Sequence, residues 1–511
     1  MFSDRNAMNI VEFPSCWKKS RSVKDSECQS EAQKMVIVET QVTLREDAES
    51  QTEEQAKETK VNEDQINLPS LVKFLVKVTP IMEEELAAAA RSRAFDGYEL
   101  ATEKTDSEMR KLHVLVNGNQ EDIRVSGLTW GPSGSVMAVS YEMETHMDWC
   151  DHLTQLCIWN INRRDFDPNK PYKIIPASSC LTVVQFHPRD PAYVAAGGFT
   201  GEIYLWSVSR EQDPLVANSS SMSGHREKIT SLHWINATTT AEGSLRHTQL
   251  LSAALDGKMI LWNIDMNTQA LTPSKRFWIP AEHIPRSLNA KIRARTELGI
   301  TCLDLNKEDE NIILLGTEAG AVFQGSLAAI LPVQGPDKES DEGPEYLDPV
   351  SVSFQPHRGR ILEVRCSPFA RDLFFSLGSD REIRLWSLLQ PHAPVAILHS
   401  EATIPLRAQW SPFRPAVLAL TSSQGQLFLY DLRQSVSRAA LSVKSSERSV
   451  ALPSLSSLAF NAWTPGWIGA GDAHGGTHVW KLPAPWSGTD QQTRDRLWIT
   501  NLLTRLEDEE Q

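Results

Sequence analysis

From about residue 125 to residue 480, apolar and polar positions alternate in short runs separated by turns rich in Gly and Asp. A period of two is the pattern of half-buried β-strands. The clearest unit is LLSAALDGKMILWNID, residues 250–265. It holds an apolar run, the pair Asp256-Gly257, and a second run that reaches Trp262. Asp-Gly between two β-runs predicts a two-residue hairpin turn with φ > 0 at both positions. The figure recurs: VAAGGFTGEIYLW ends on Trp206, LFFSLGSDREIRLW on Trp386 and WIGAGDAHGGTHVW on Trp480. LALTSSQGQLFLYD carries Tyr430, TQLCIWNIN carries Trp159, and LLGTEAGAVFQG puts Gln324 at the aromatic position. A further β-run precedes each hairpin: VSGLTWGPSG, CLTVVQFHP, ITSLHW, ITCLDL, ILEVRCSPF, LRAQWSPF and LSSLAF.

Seven such units follow one another at spacings of about 44–62 residues, near the 40–45 of a propeller blade once loops are added. A small sheet of this kind cannot bury both faces alone; seven packed radially can. The chain resembles the WD-repeat family over 125–480. The fold class expected is therefore all-β, a seven-bladed WD40 β-propeller over residues 115–483. The recurrent aromatics are expected in its inter-blade core. The third unit carries Gly224-His225, Asp256 and Trp262 at the family's hydrogen-bonding positions, and the other units are expected to rely on packing.

Outside this region the pattern changes. Residues 1–65 are polar and nearly free of aromatics after Trp17, and 45–64 carry eight acidic against three basic side chains. Such a segment buries too little apolar surface to offset the entropy of ordering, so a disordered tail is predicted. Residues 66–100 form a connector with an amphipathic helix: Leu71, Phe74, Leu75 and Val78 follow the i, i+3, i+4, i+7 spacing, with Met82 continuing the stripe. Pro69 suits a first helical turn, and Pro80 is expected to end or kink the helix, with Thr79 capping a second one. Residues 484–511 read as a C-terminal tail with Leu497, Trp498, Leu502 and Leu506 at roughly helical spacing.

A formal charge of −14 over 511 residues argues against nucleic-acid binding, which needs a cationic surface. No run is long and apolar enough to insert in a membrane. The seven Cys are scattered and odd in number, so free buried thiols are expected, and the thirteen His show no metal-ligand spacing with them. No phosphate-binding loop, HExxH or GxSxG occurs, so no catalytic residue, metal or cofactor is assigned. Two charged stretches stand out as solvated loops or docking edges: basic RSLNAKIRAR, 286–295, between units three and four, and acidic PDKESDEGPEYLD, 336–348, between units four and five.

Inside the acidic tail sits VETQVTLREDAESQTEE, residues 38–54. In an extended segment Val36, Val38, Thr40 and Val42 face one way and Ile37, Glu39, Gln41 and Thr43 the other. Such a segment can add as a strand to the sheet edge of a partner. It looks like the TQT-type peptide read by the dimeric hub light chain of dynein. The matching residues are Val38, Thr40, Gln41, Val42 and Thr43, then Ser50, Gln51 and Thr52. With FPSCW near the start, RAFDGYEL at 93–100, GEIYLWSVSR at 201–210 and AGDAHGGTHVWKL at 470–482, most of the chain resembles the WD-repeat intermediate chains of cytoplasmic dynein 2, the smaller kind in particular.

That resemblance implies a non-catalytic motor subunit whose propeller grips a dynein 2 heavy chain. Its tail pairs with that of a second WD-repeat intermediate chain through hub light chains, and the helix bearing Leu71, Phe74, Leu75, Val78 and Met82 serves a roadblock-type light chain. A Tctex-type light chain and intraflagellar-transport particles are further implied partners. The implied setting is retrograde intraflagellar transport and cilium assembly, in cytoplasm, cytoskeleton and cilium, including axoneme and basal body or centrosome. A different class remains open. Tyr430-Asp431-Leu432-Arg433 resembles the WDxR box of substrate receptors of cullin-type ubiquitin ligases.

Overall fold

Cross-strand pairing follows the repeating hairpins. Leu250 faces Trp262, Phe374 faces Trp386, Leu418 faces Tyr430 and Ile468 faces Trp480. Val194 faces Trp206, Met137 faces Trp159, and Leu314 faces Gln324 at the equivalent place. These pairs come from a computed structural model. It describes residues 68–91, 108–118, 123–143, 146, 150, 152–220, 224–236, 248–265, 267–285, 298–335, 345–400, 404–435, 437–446, 452–488 and 492–509. The chain divides into two units, Met1–Tyr98 and Glu99–Gln511.

In the second unit the strands form seven four-stranded antiparallel blades. Their innermost strands are Ile123–Trp130, Leu181–Phe186, Ile229–Asn236, Ile300–Leu305, Ile361–Cys366, Pro405–Trp410 and Leu455–Phe460. The outermost strand of blade seven is Arg110–Val116, from the other end of the chain; it pairs with Gly476–Lys481, setting Val114 opposite His478. This closes the ring, and the expected start at residue 115 falls inside that strand. Blades two and three are also joined by parallel pairing of Ala270 with Asn218 and Leu271 with Ser219.

Seven apolar clusters each straddle two neighbouring blades. Trp159, Trp206, Trp262, Trp386, Tyr430 and Trp480 lie in six of them. Between blades three and four, where Gln324 replaces the aromatic, Phe277 and Phe323 fill the space. Gly197 lies where a Cβ would come within 2.5 Å of the Ile229 side chain of the next blade, so the two Gly of blade two mark close packing.

Two expectations are corrected. At the Asp256-Gly257 turn only Gly257 takes positive φ, at 76°. The Asp256 carboxylate is held by the backbone N–H groups of Arg226 and Lys258 and by His225, which fixes its backbone in the ordinary region. The acidic stretch 336–348 lies within blade four rather than after it. It connects strands Val322–Ser326 and Val350–Ser353, and its flanks Pro332–Val333 and Tyr346–Leu347 pair and lean on Phe277 of blade three. Residues 336–344 and the basic stretch 286–295 lie outside the described residues.

In the first unit a single helix spans Leu68–Arg91 with Pro80 inside it. Pro80 therefore does not end the helix and Thr79 caps no second one. The Thr79 hydroxyl instead donates to the Leu75 carbonyl at 2.7 Å. The Val76 carbonyl, deprived of its donor by Pro80, lies on an exposed turn, where water can serve it. Among the described residues no helix is long and apolar enough to cross a membrane.

Candidate functional site

The innermost strands of all seven blades surround a channel holding a cavity of about 350 Å³. Its charges are paired with one another. Glu363 binds Arg365 at 2.7 Å and Arg407 at 3.5 Å, and Arg365 reaches Asp304 at 3.7 Å. Burial works against the Arg365 charge, yet Glu363 and Asp304 hold its pKa above the ordinary value. Asp304 also accepts the Cys366 N–H at 2.8 Å.

His233, which lines the channel, donates its Nε2–H to the Leu303 carbonyl at 2.8 Å. Burial pushes its pKa down to about 4, with smaller effects from Asp304, Arg365 and Lys307. Between about pH 6.5 and 4 the unfolded chain thus holds a proton that the folded chain lacks. Stability falls as the pH drops through that window. The wild type should lose about 2 kcal/mol more between pH 7 and pH 5 than His233→Gln, read from urea midpoints at each pH. Equal losses in the two proteins would refute this assignment.

Polar relays lie inside two blades, not one. In blade three the Trp262 indole N–H donates to Ser252 at 2.8 Å, Ser252 to His225 Nε2 at 2.7 Å, and His225 Nδ1 to Asp256 at 3.1 Å. Blade five repeats the relay through Trp386, Ser376, His357 and Asp380 at 2.8, 2.7 and 3.1 Å. The expectation that only the third unit carried it is therefore corrected; Pro precedes His357 where the third unit has Gly. Against the cost of burial, the hydrogen bond from His357 and two backbone N–H groups hold the Asp380 pKa down at about 2. The indoles of Trp159 and Trp480 have no such partner, so these two side chains are held by packing alone.

The C-terminal segment forms a helix, Gln492–Glu509. Its buried face carries Asp495 and Ile499, with Trp498 and Leu503 packed alongside. Leu497, expected on the apolar side, faces solvent. Asp495 is fully buried and bound by Arg414 Nε at 2.5 Å and Arg433 Nε at 2.8 Å. Both arginines also reach Asp431, at 3.3 and 3.2 Å. The Tyr430-Asp431-Leu432-Arg433 box thus turns inward to clamp this helix.

On helix Leu68–Arg91 the predicted residues Leu71, Phe74, Leu75 and Met82 are exposed and Val78 is half-buried. Val72, Val76, Ile81 and Leu86 are exposed as well, an apolar surface of the kind that marks an interaction site. The tail residues Val38, Thr40, Gln41, Val42, Thr43, Ser50, Gln51 and Thr52 lie outside the described residues.

The five described cysteines are free and buried. Burial pushes the Cys157 and Cys302 thiols up to about 12, so they are inert. Contrary to the sequence expectation, His146, Cys150, His152 and Cys180 converge, with ligand atoms within 4.8 Å of one another.

No protein-family model matches the chain. Among known proteins it is 29% identical over 499 residues to mouse cytoplasmic dynein 2 intermediate chain 2, covering 96% of this chain and 90% of that one. It is 24% identical over 355 residues to rat dynein axonemal intermediate chain 2, covering 68% and 51%. Against human cytoplasmic dynein 2 intermediate chain 2 the identity is 31% over 436 residues, covering 84% of this chain and 79% of that one. At that identity and coverage the chain belongs to the cytoplasmic dynein 2 intermediate chain family.

Proposed function

We propose that this chain links a dynein 2 heavy chain to dimeric light chains for retrograde intraflagellar transport and cilium assembly, and performs no catalysis itself. The observation that carries the reading is the continuous likeness to cytoplasmic dynein 2 intermediate chain 2 along 84% of the chain. The propeller supplies a rigid grip for the heavy chain. The exposed apolar helix Leu68–Arg91 takes a roadblock-type light chain. Residues 1–65 act as a tail whose Thr40-Gln41-Val42 and Ser50-Gln51-Thr52 segments add as strands to hub light chains shared with a second intermediate chain. Several weak contacts along two parallel tails hold by effective concentration. The place of work is cytoplasm, cytoskeleton and cilium, including axoneme and basal body. The paired charges of the channel and the inert buried thiols agree with a binding role. The ubiquitin-ligase alternative loses support because Arg433 is engaged by Asp431 and Asp495.

Affinity recovery from ciliated cells tests this, comparing the full chain with one lacking residues 1–100. The full chain should bring down a heavy chain, a second intermediate chain and light chains. The truncated chain should keep the heavy chain and lose the light chains. Recovery of a cullin adaptor without motor polypeptides would overturn the reading.

A further inference from the structure

We propose that His146, Cys150, His152 and Cys180 form a structural zinc site that fastens blade one to blade two. His146, Cys150 and His152 follow strand Val136–Met143 of blade one, ahead of Thr154–Asn160. Cys180 immediately precedes the innermost strand of blade two, Leu181–Phe186. Thr154 Oγ1 donates to the Ser179 carbonyl at 2.7 Å, so the two segments already touch.

One ligand atom from each of the four residues lies within 4.8 Å of the others, and Cys150 Sγ stands 3.7 Å from His152 Nδ1. Tetrahedral zinc with bonds of about 2.0–2.3 Å sets its ligand atoms roughly 3.3–3.8 Å apart. One edge of the tetrahedron therefore stands at its final length, and the others need close by no more than about an ångström. Two thiolates with two imidazoles are a donor set suited to zinc. The cation displaces two thiol protons to solvent, and the two thiolates then cancel its charge.

A backbone N–H group faces each sulfur. The Cys180 N–H donates to Cys150 Sγ at 3.3 Å, and the Met143 N–H to Cys180 Sγ at 3.5 Å. Backbone donors of this kind orient and stabilise metal-bound sulfur. The nearby carboxylate, Glu142, is spent on Arg124 and Lys228, each at 2.8 Å. The His146 ring stacks on Phe199 at 4.2 Å and meets His152 edge-on at 5.4 Å. Its Nε2 atom is buried without a hydrogen-bond partner. An unpaired buried polar atom costs about 1–3 kcal/mol, and a cation among these four groups accounts for it. A Cys150–Cys180 disulfide would not. Four protein ligands leave no open position, so the site is structural and not catalytic.

The test uses the full chain without a polyhistidine tag, dialysed against metal-free buffer, with zinc measured by mass spectrometry. About one zinc per chain is expected. Cys150→Ser with Cys180→Ser should reduce it below about a tenth, while Cys16→Ser with Cys28→Ser should leave it unchanged. Because the first pair could misfold, the wild type is also exchanged with Co²⁺. The visible absorption of tetrahedral thiolate-bound cobalt is expected. Less than stoichiometric zinc with no such absorption, zinc retained by the Cys150/Cys180 variant, or an intact Cys150–Cys180 disulfide would each overturn the proposal.

Discussion

Replacing Arg414 by alanine is expected to release the C-terminal helix from blade six. Arg414 is 2% exposed, and its guanidinium binds two carboxylates, Asp495 and Asp431, and the Pro485 carbonyl at 2.5 Å. With Arg433 the group holds two positive and two negative charges. Truncation removes one positive charge and leaves two buried carboxylates sharing Arg433. Breaking a buried pair from one side costs about 3–5 kcal/mol, because the remaining charge is stranded. The apolar part of the docking rests on Ile499, Trp498 and Leu503, and full burial of one such side chain is worth about 1.5–3 kcal/mol. The charge loss is thus comparable with the docking energy itself. Hydrogen exchange over residues 492–509 should accelerate by at least about 100-fold, and limited proteolysis should remove the segment while the blades stay folded. Unchanged exchange in that helix would show that the four charges do not hold it.

The same clamp shows where reading the sequence stops. Leu497 and Trp498 look like an apolar edge, but the helix is aimed by Asp495, a charged residue that no hydropathy pattern places inside. Its partners lie 81 and 62 positions earlier, on blade six. The hairpins were legible because a period of two, a Gly turn and a terminal aromatic are all local. The blade-five relay was not, since its His follows a Pro and only its contacts reveal it. The zinc ligands His146, Cys150 and His152 sit at spacings that form no familiar motif, and Cys180 joins them only when blade two stacks on blade one. Pro80 does not stop its helix, because on an exposed turn water can meet the carbonyl it frees.

A triple substitution, Leu71→Ala, Phe74→Ala and Leu75→Ala, is expected to weaken roadblock-type light-chain binding severely while leaving the propeller intact. Alanine has the highest helix propensity, so helix Leu68–Arg91 should persist and only its apolar surface should change. Phe74 is 59% exposed, and Leu71 and Leu75 nearly half, so the change removes contact area and opens no cavity in the chain's own core. Burying one such side chain against a partner contributes about 1.5–3 kcal/mol. Interface anchors couple with one another, so the sum is not additive. A conservative total of about 3–4 kcal/mol still weakens binding by roughly 100- to 1,000-fold. Titration calorimetry with the purified light chain would measure it, and circular dichroism of a residue 66–93 peptide with the same changes would check the helix. Heavy-chain recovery through the blades should not change. Undiminished light-chain affinity would show that this stripe is not the docking face, and the segment's role would then have to be sought on the neighbouring side, around Val72 and Val76.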